Sequence, residues 1–224
     1  MKKYELTTNT KMWFGRKLYQ IKALKDFGNV KAGNLGGYIE KEENLSHDGN
    51  AWVYDSALVY DNACVFSNAR IFGNAKVYGY AQIFSNALIY DNTRVYNDAW
   101  IYGNACVFGD AEVFDNARVF DNAEIFDNAR VFGDAHVYDN AWIYRDAQIS
   151  NNADYIYFKG FGSENRNTTM FKTKNRDVYV SCGCFTGSLR AFMDKVKETH
   201  GNTKYAKEYL ACVEVAKIHF EIDE

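Results

Sequence analysis

Basic residues concentrate in one short segment near the C-terminus of this 224-residue chain. Residues 159–176 hold five lysine or arginine side chains against Glu164 alone. Because guanidinium and ammonium groups bind phosphate through charge-assisted hydrogen bonds, the segment favours an anionic, nucleotide-like ligand. A solvated hairpin face, or docking on an acidic surface of another subunit, would explain the same composition. The predicted anion-binding residues are Lys159, Arg166, Thr168, Thr169, Lys172, Lys174, Arg176 and His200.

Cysteine and histidine give weaker signals for chemistry. Cys182 and Cys184 are separated by a single residue, which is too close for a zinc pair. A cysteine nucleophile would need His200 or His219 nearby, and spacing alone does not show this. The five cysteines are odd in number and lack redox spacing, which indicates reduced thiols in the cytoplasm. The sequence therefore predicts no catalytic residue, no metal and no cofactor.

A strict six-residue repeat must position these side chains. From Asn50 to Asn151 the chain forms 17 consecutive hexads without an insertion. The pattern is Asn or Asp, Ala, a variable residue, Val or Ile, an aromatic residue, and a small or polar corner residue. Thr93 departs from it at the second place, and Ser150 departs from it at the fifth place. Alternate residues of a strand share a face, and the third places are often charged, so the second and fourth places must face inward.

Three hexads would make one 18-residue coil of a triangular solenoid, with coils stacked at the strand spacing of about 4.8 Å. The Asn, Asp and Gly residues at the sixth and first places predict the tight corners. One corner column carries asparagine in every coil, which predicts a ladder of stacked amides. Its members are Asn50, Asn68, Asn86, Asn104, Asn122 and Asn140.

The aromatic residues at the fifth place must then face outward in three ladders. Stacking would hide part of each ring, but monomers seldom expose large contiguous apolar patches, so we predict a homodimer or homotrimer. The two faces that carry tryptophan at the third place are the expected contact, because Trp is enriched at interfaces. The predicted interface residues are Trp52, Trp100, Trp142, Tyr54, Phe72, Tyr90, Phe108, Phe126 and Tyr144.

The segments on either side of the repeats should cover the solenoid ends. Residues 1–49 predict an N-terminal cap, with a strand at 17–24 followed by glycine-rich coil. Residues 152–224 predict a small α+β domain with strands at 155–161, 168–174 and 178–182. Two helices should follow, one from near Thr186 or Ser188 to Gly201 and one from Asn202 or Thr203.

The hexad resembles the hexapeptide repeat of left-handed β-helices, and its Asn-Ala-x-Val-aromatic form is most similar to the YdcK-type β-solenoid family. Residues 18–46 resemble that family's N-terminal cap, and the tail resembles the C-terminal segment of relatives often carried by phages. The resemblance implies an all-β, left-handed triangular solenoid of about 5–6 coils, with an N-terminal β cap and a small C-terminal α+β domain. It supplies no catalytic residue.

Charge and composition narrow the function classes. The net charge is −3, and no apolar run approaches the ~18 residues of a membrane helix, so neither membrane nor direct nucleic-acid binding is expected. We predict a non-enzymatic, cytoplasmic binding or scaffold protein that sequesters a host protein or an anionic ligand, and the resemblance implies that it is phage-encoded. The alternative is a hexapeptide-repeat acyltransferase with an acyl-CoA donor. Such enzymes carry their reactive histidine on loops that interrupt the coils, whereas these hexads are uninterrupted and contain only His136.

Overall fold

Three strands precede the repeats in the computed structural model, which describes residues 2–222. They are β1 (Tyr4–Trp13), β2 (Arg16–Ala23) and β3 (Leu35–Ile39). The first two form an antiparallel hairpin, and β2 also pairs antiparallel with β3. The strand predicted at 17–24 is confirmed as β2. Strand β1 was not predicted, and Gly36 and Gly37, which were predicted to lie in coil, belong to β3.

Each hexad forms one two-residue strand from its third and fourth places, which gives 17 strands. They are β4 (Trp52–Val53), β5 (Leu58–Val59), β6 (Cys64–Val65), β7 (Arg70–Ile71), β8 (Lys76–Val77), β9 (Gln82–Ile83), β10 (Leu88–Ile89), β11 (Arg94–Val95), β12 (Trp100–Ile101), β13 (Cys106–Val107), β14 (Glu112–Val113), β15 (Arg118–Val119), β16 (Glu124–Ile125), β17 (Arg130–Val131), β18 (His136–Val137), β19 (Trp142–Ile143) and β20 (Gln148–Ile149). Each strand from β4 to β17 pairs in parallel with the strand three further along, as Leu88 pairs with Cys106. The predicted three-sided solenoid, with three hexads in each coil, is confirmed.

The corners are made by the sixth-place residues, which have a left-handed backbone at every corner from Asp55 to Arg145. Asn, Asp and Gly enter this region at the lowest cost, so the corner composition directs the chain. The carboxylates also close corners between coils. Asp91 Oδ2, for example, accepts a hydrogen bond of 3.2 Å from the backbone N–H of Gly109, one coil further on.

The inward faces form a continuous, narrow core. Every alanine at the second place is fully buried, and so are the Val and Ile residues at the fourth place, as predicted. Thr93, which replaces one alanine, is also fully buried. Its hydroxyl donates a hydrogen bond of 2.7 Å to the carbonyl of Tyr90, so the extra polar atom is satisfied within the corner.

The asparagine column forms the predicted amide ladder over most of its length. The side-chain N–H of Asn50 donates to the side-chain oxygen of Asn68 at 3.1 Å, and the same bond recurs up to the bond between Asn104 and Asn122. A second corner also carries ladder bonds, from Asn74 to Asn92 and on to an aspartate. Amide stacking is therefore not restricted to the one column that the sequence singled out.

The outward rings stack on one another from coil to coil, except that the described residues show no ring contact between Phe72 and Tyr90. Centroid separations range from 4.3 Å between Tyr54 and Phe72 to 5.3 Å between Phe120 and Tyr138. The rings are close to parallel, at 10° and 14° in these two pairs. Each ring covers part of its neighbour, so most ladder rings are half-buried within the single chain.

The N-terminal cap extends one solenoid sheet, because β3 pairs in parallel with β5. A side chain at Gly36 would place its Cβ 2.5 Å from the carbonyl oxygen of Val53, so this strand approaches the first coil too closely for any other residue. The cap also buries Trp52, which is only 1% exposed and packs edge-on against Phe27.

The C-terminal segment forms a four-stranded antiparallel sheet and two helices. The elements are β21 (Tyr155–Phe161), β22 (Arg166–Lys172), β23 (Val178–Cys182), β24 (Phe185–Ser188), α1 (Leu189–His200) and α2 (Lys204–Phe220). Three strands and both helices were predicted, and Ser188 and Thr203 are the N-caps. Side chains alternate across β22, so Met170 packs on the helices and Phe171 closes the solenoid core.

Candidate ligand-binding clefts

The structure does not bring the eight predicted anion-binding residues together. Thr168 and Thr169 are buried on opposite faces of β22. The hydroxyl of Thr168 lies 3.1 Å from the sulfur of Cys182, whereas that of Thr169 accepts a hydrogen bond from the backbone N–H of Trp142. Both threonine hydroxyls therefore make contacts between elements of the fold. Neither hydroxyl is presented to a ligand on the surface that carries the helices.

Lys172 forms an ion pair of 3.2 Å with Asp154, in the short 3-10 turn that joins the solenoid to the C-terminal sheet. Burial favours a higher pKa for Asp154, but hydrogen bonds from Ser150 and the ion pair with Lys172 outweigh it and lower the pKa. Lys172 is thus committed to a structural contact. Lys159 is exposed on β21 and lines none of the clefts described here.

Lys174 and Arg176 line a cleft of about 750 Å³, which we name the basic cleft. It lies between the last solenoid corner, the turn after β22, and the two helices. Two further arginines of its wall, Arg145 and Arg190, were not predicted. With Lys217, the lining has five basic side chains against two acidic ones, so the local charge is opposite to that of the acidic solenoid.

Arg145 could have been found from the repeat. It occupies a left-handed corner with φ of 57°, where other corner residues are aspartate, asparagine, serine or glycine. A long side chain at such a position is an exception with an energetic cost, which is a signal of function. In the structure its guanidinium lies 4.7 Å from the ring centre of Tyr179, which holds it at the cleft.

The N-terminus of helix α1 opens on the basic cleft. Ser188, Leu189 and Arg190 all contribute to the lining, and the hydroxyl of Ser188 accepts a hydrogen bond of 3.2 Å from the backbone N–H of Ala191. The first backbone N–H groups of a helix carry partial positive charge and attract anions. The wall also includes apolar residues, among them Val178, Leu189 and Met193. The cleft therefore combines positive charge with apolar surface.

Arg166 and His200 line a different cleft, of about 360 Å³, together with Cys182 and Cys184. A guanidinium nitrogen of Arg166 lies 3.8 Å from the sulfur of Cys184. His200 packs on the ring of Tyr209, with the ring centres 5.6 Å apart. Within residues 2–222, neither cysteine forms a hydrogen bond with a histidine, the contact that a cysteine–histidine nucleophile would need.

Two predicted interface residues lie inside the single chain, which corrects their assignment. Trp52 is covered by the N-terminal cap, and Tyr144 is covered by Phe171 of the C-terminal sheet. Each end of the rod was expected to be capped, but these particular side chains were not recognised as the covered ones. Trp100 stays half-buried beside Arg118, whose guanidinium is 4.9 Å from its ring. The remaining predicted residues are ladder rings, and Trp142, which stays 41% exposed. A dimer or trimer stays a prediction.

His136, the histidine considered for acyl transfer, lies in β18 next to the C-terminal segment. Its backbone N–H donates to the side-chain oxygen of Asn152 at 2.7 Å, and its carbonyl accepts from the hydroxyl of Tyr155 at 2.8 Å. Across residues 2–222, no group of three or more histidine, cysteine or acidic side chains is arranged to hold a metal. No helix in that range has the length and apolar character needed to cross a membrane.

No protein-family model matches this chain. The chain is 50% identical over 38 residues to a protein of Escherichia coli strain K12 described as an uncharacterized acetyltransferase, YdcK. The resemblance to a YdcK-type hexapeptide solenoid is confirmed. The match covers 17% of this chain and 12% of the relative, so it supports the repeat and the fold. The comparisons lend no support to the predicted phage origin.

Proposed function

We propose that this protein binds an organic anion with a phosphate group and a flat apolar part in the basic cleft. The observation that carries the proposal is the convergence of Arg145, Lys174, Arg176 and Arg190 at the N-terminus of α1, in an otherwise acidic protein. The apolar wall that includes Met193 would accommodate a base or an acyl chain. A volume of about 750 Å³ lies within the range of roughly 300–1,000 Å³ that is typical of small-molecule sites.

Calorimetry with ATP, ADP, coenzyme A and inorganic phosphate tests this proposal. We expect a nucleotide to bind, and the double variant Lys174→Ala/Arg176→Ala to weaken that binding by about tenfold or more, because two phosphate contacts are lost. Lys159→Ala removes an exposed lysine of the same segment away from the cleft and serves as the matched control. Equal loss in the control, or no binding of any of the four compounds, would contradict the proposal.

Acyl transfer is the second candidate function, and the printed description of the E. coli relative as an acetyltransferase favours it. Coenzyme A carries phosphates and an adenine, so the same basic cleft would hold it. Turnover of acetyl-coenzyme A with a panel of amines and sugars, lost in His136→Ala, would support the enzyme. Binding of coenzyme A without turnover would leave the binding protein as the function.

The binding hypothesis also allows a protein partner in place of a small anion. An acidic protein surface would also fit the basic cleft, and the solenoid of a second copy carries 13 acidic residues against 6 basic ones. Light scattering at low and high salt tests self-association. Docking through the cleft predicts an oligomer that dissociates as salt rises and is absent in the Lys174→Ala/Arg176→Ala variant. An oligomer insensitive to both would point to the aromatic faces instead.

A further inference from the structure

We infer that a third cleft, between the solenoid and the C-terminal sheet, binds a neutral carbohydrate. Its volume is about 500 Å³, and we name it the amide cleft. The solenoid wall consists of Asn122, Glu124, Asn140 and Trp142, and the opposite wall includes Asn167. The cleft is separate from the basic cleft, because the two share no lining residue.

Glu124 is the first reason for a ligand here. It is partly buried, and burial raises the pKa of its carboxyl group. Within residues 2–222 this carboxylate has neither a hydrogen bond nor an ion pair. Its neighbours in the same column, one coil away on each side, are Cys106 and Trp142, which supply no positive charge. A partly buried carboxylate without a partner has unused acceptor capacity.

Glu112, on another side of the solenoid, shows the contrast. It has the same place in the hexad, and its neighbours one coil away are Arg94 and Arg130. Both arginines form ion pairs with it, the second at 3.1 Å. At Glu112 the arginines of the adjacent coils thus neutralise a third-place glutamate. Glu124 has no such arginine in the adjacent coils, so its carboxylate can accept a hydrogen bond from a ligand.

The asparagine ladder supplies the second reason, because it stops at the cleft. Asn122 accepts a hydrogen bond from Asn104. Across the described residues, the side-chain N–H of Asn122 donates no hydrogen bond to Asn140. Asn140 turns its N–H toward the hydroxyl of Tyr157 instead, at 3.3 Å. The side-chain N–H of Asn122 and the side-chain oxygen of Asn140 are therefore free to bind a ligand, one as donor and one as acceptor.

The chemistry of the lining identifies the ligand class. Trp142 is 41% exposed beside these polar groups, and an aromatic surface next to paired donors and acceptors suits a pyranose, which has apolar C–H faces and hydroxyl edges. A phosphorylated ligand would be repelled by Glu124. An amine would meet Arg166 on the opposite wall. A hydroxyl-rich, uncharged ligand fits both walls.

Saturation-transfer NMR and calorimetry with glucose, galactose, mannose and N-acetylglucosamine, and with their short oligomers, test the inference. We expect at least one saccharide to bind with millimolar affinity or better. Trp142→Ala should abolish binding, because the stacking surface is lost, and Glu124→Gln should weaken it by about tenfold, because a charged acceptor becomes neutral. Trp142 is exposed, so its loss leaves the solenoid core intact.

Glu112→Gln is the matched control, because it changes the same residue type at an equivalent place that already has partners. It should leave saccharide binding unchanged. The inference is overturned if no saccharide of the panel binds, if binding survives in Trp142→Ala, or if Glu112→Gln and Glu124→Gln reduce it equally. Loss of binding in Lys174→Ala/Arg176→Ala alone would also overturn it, by moving the saccharide to the basic cleft.

Discussion

Arg145 shows how one residue can depart from a repeat for the benefit of a site. Its backbone adopts the left-handed conformation of a corner, but its side chain is the long, charged group that the other left-handed corners avoid. That conformation destabilises the folded state, but it places a guanidinium at the basic cleft.

We therefore expect Arg145→Asn to separate stability from binding. Asparagine adopts the left-handed backbone region at a lower energetic cost than arginine, so the unfolding free energy should stay the same or rise by up to about 1 kcal/mol. Anion affinity should fall, because one guanidinium of the basic cleft is gone. Chemical denaturation and calorimetry measure the two effects.

Arg190→Ala is the comparison for this variant, because it removes another guanidinium from the same cleft at an ordinary helical position. It should lower affinity without any gain in stability. A clear loss of stability in Arg145→Asn would contradict the interpretation of this corner, since it would mean that the stack on Tyr179 outweighs the backbone cost.

Individual residues also show which part of the site could be predicted from the sequence. The basic segment 159–176 was visible in the sequence, and Lys174 and Arg176 do reach a common cleft. The other members separated, because strand alternation sends Thr168 and Thr169 to opposite faces. Arg190 joined the cleft through the packing of a helix, which a local run of charge does not reveal.

At the scale of elements, the amide ladder stabilises the stack of coils. Asn86 both accepts a hydrogen bond from Asn68 and donates one to Asn104, each at 3.1 Å. Asn86→Ala should therefore lower the unfolding free energy by about 1–2 kcal/mol, at roughly 1 kcal/mol for each net hydrogen bond. Equilibrium denaturation in urea measures this change.

Asn128 offers a control within the same repeat. It occupies the same place of a hexad and is exposed, but among the described residues its side chain forms no hydrogen bond. Asn128→Ala should change stability by less than about 0.5 kcal/mol. Equal effects in the two variants would show that the side-chain ladder contributes nothing and that corner backbone preference alone selects asparagine.

Elements with a repeated pattern or a local start signal could be predicted, and elements with neither could not. The 17 strands follow from a pattern that is repeated at every coil. The helices follow from N-cap candidates, among which the structure uses Ser188 and Thr203. Strand β1 lacks regular alternation, since its residues are mostly polar and only its first one is buried. Strand β24 is four residues long and contains a glycine, so its pairing with β23 decides its structure.

At the scale of the molecule, the stacked rings make stability sensitive to alkaline pH. Partial burial raises the pKa of Tyr78 and of Tyr90 to about 12, against about 10 in an unfolded chain. The folded state therefore favours the neutral phenol. This contribution is complete below pH 10 and is lost as the pH rises from about 10 through 12, because the unfolded chain releases its protons first.

We expect the unfolding free energy to fall with pH between about 10 and 12, and the ultraviolet signal of phenolate to appear in the folded protein above the usual range. Tyr78→Phe removes one titrating group while keeping the ring, so its stability should depend less steeply on pH in that window. A flat profile from pH 10 to 12, with ladder tyrosines that ionise near pH 10, would refute the prediction.

The equal length of every side of the triangle has a consequence for how such a protein can change its size. Excising one complete coil, for instance residues 68–85, shortens the rod but leaves both terminal caps on the same sides as before. Excising a single hexad turns everything beyond it by one side, so the C-terminal domain and its clefts would face a new direction relative to the N-terminal cap. Insertions and deletions among natural relatives should therefore come in multiples of eighteen residues wherever the two ends act on a common target.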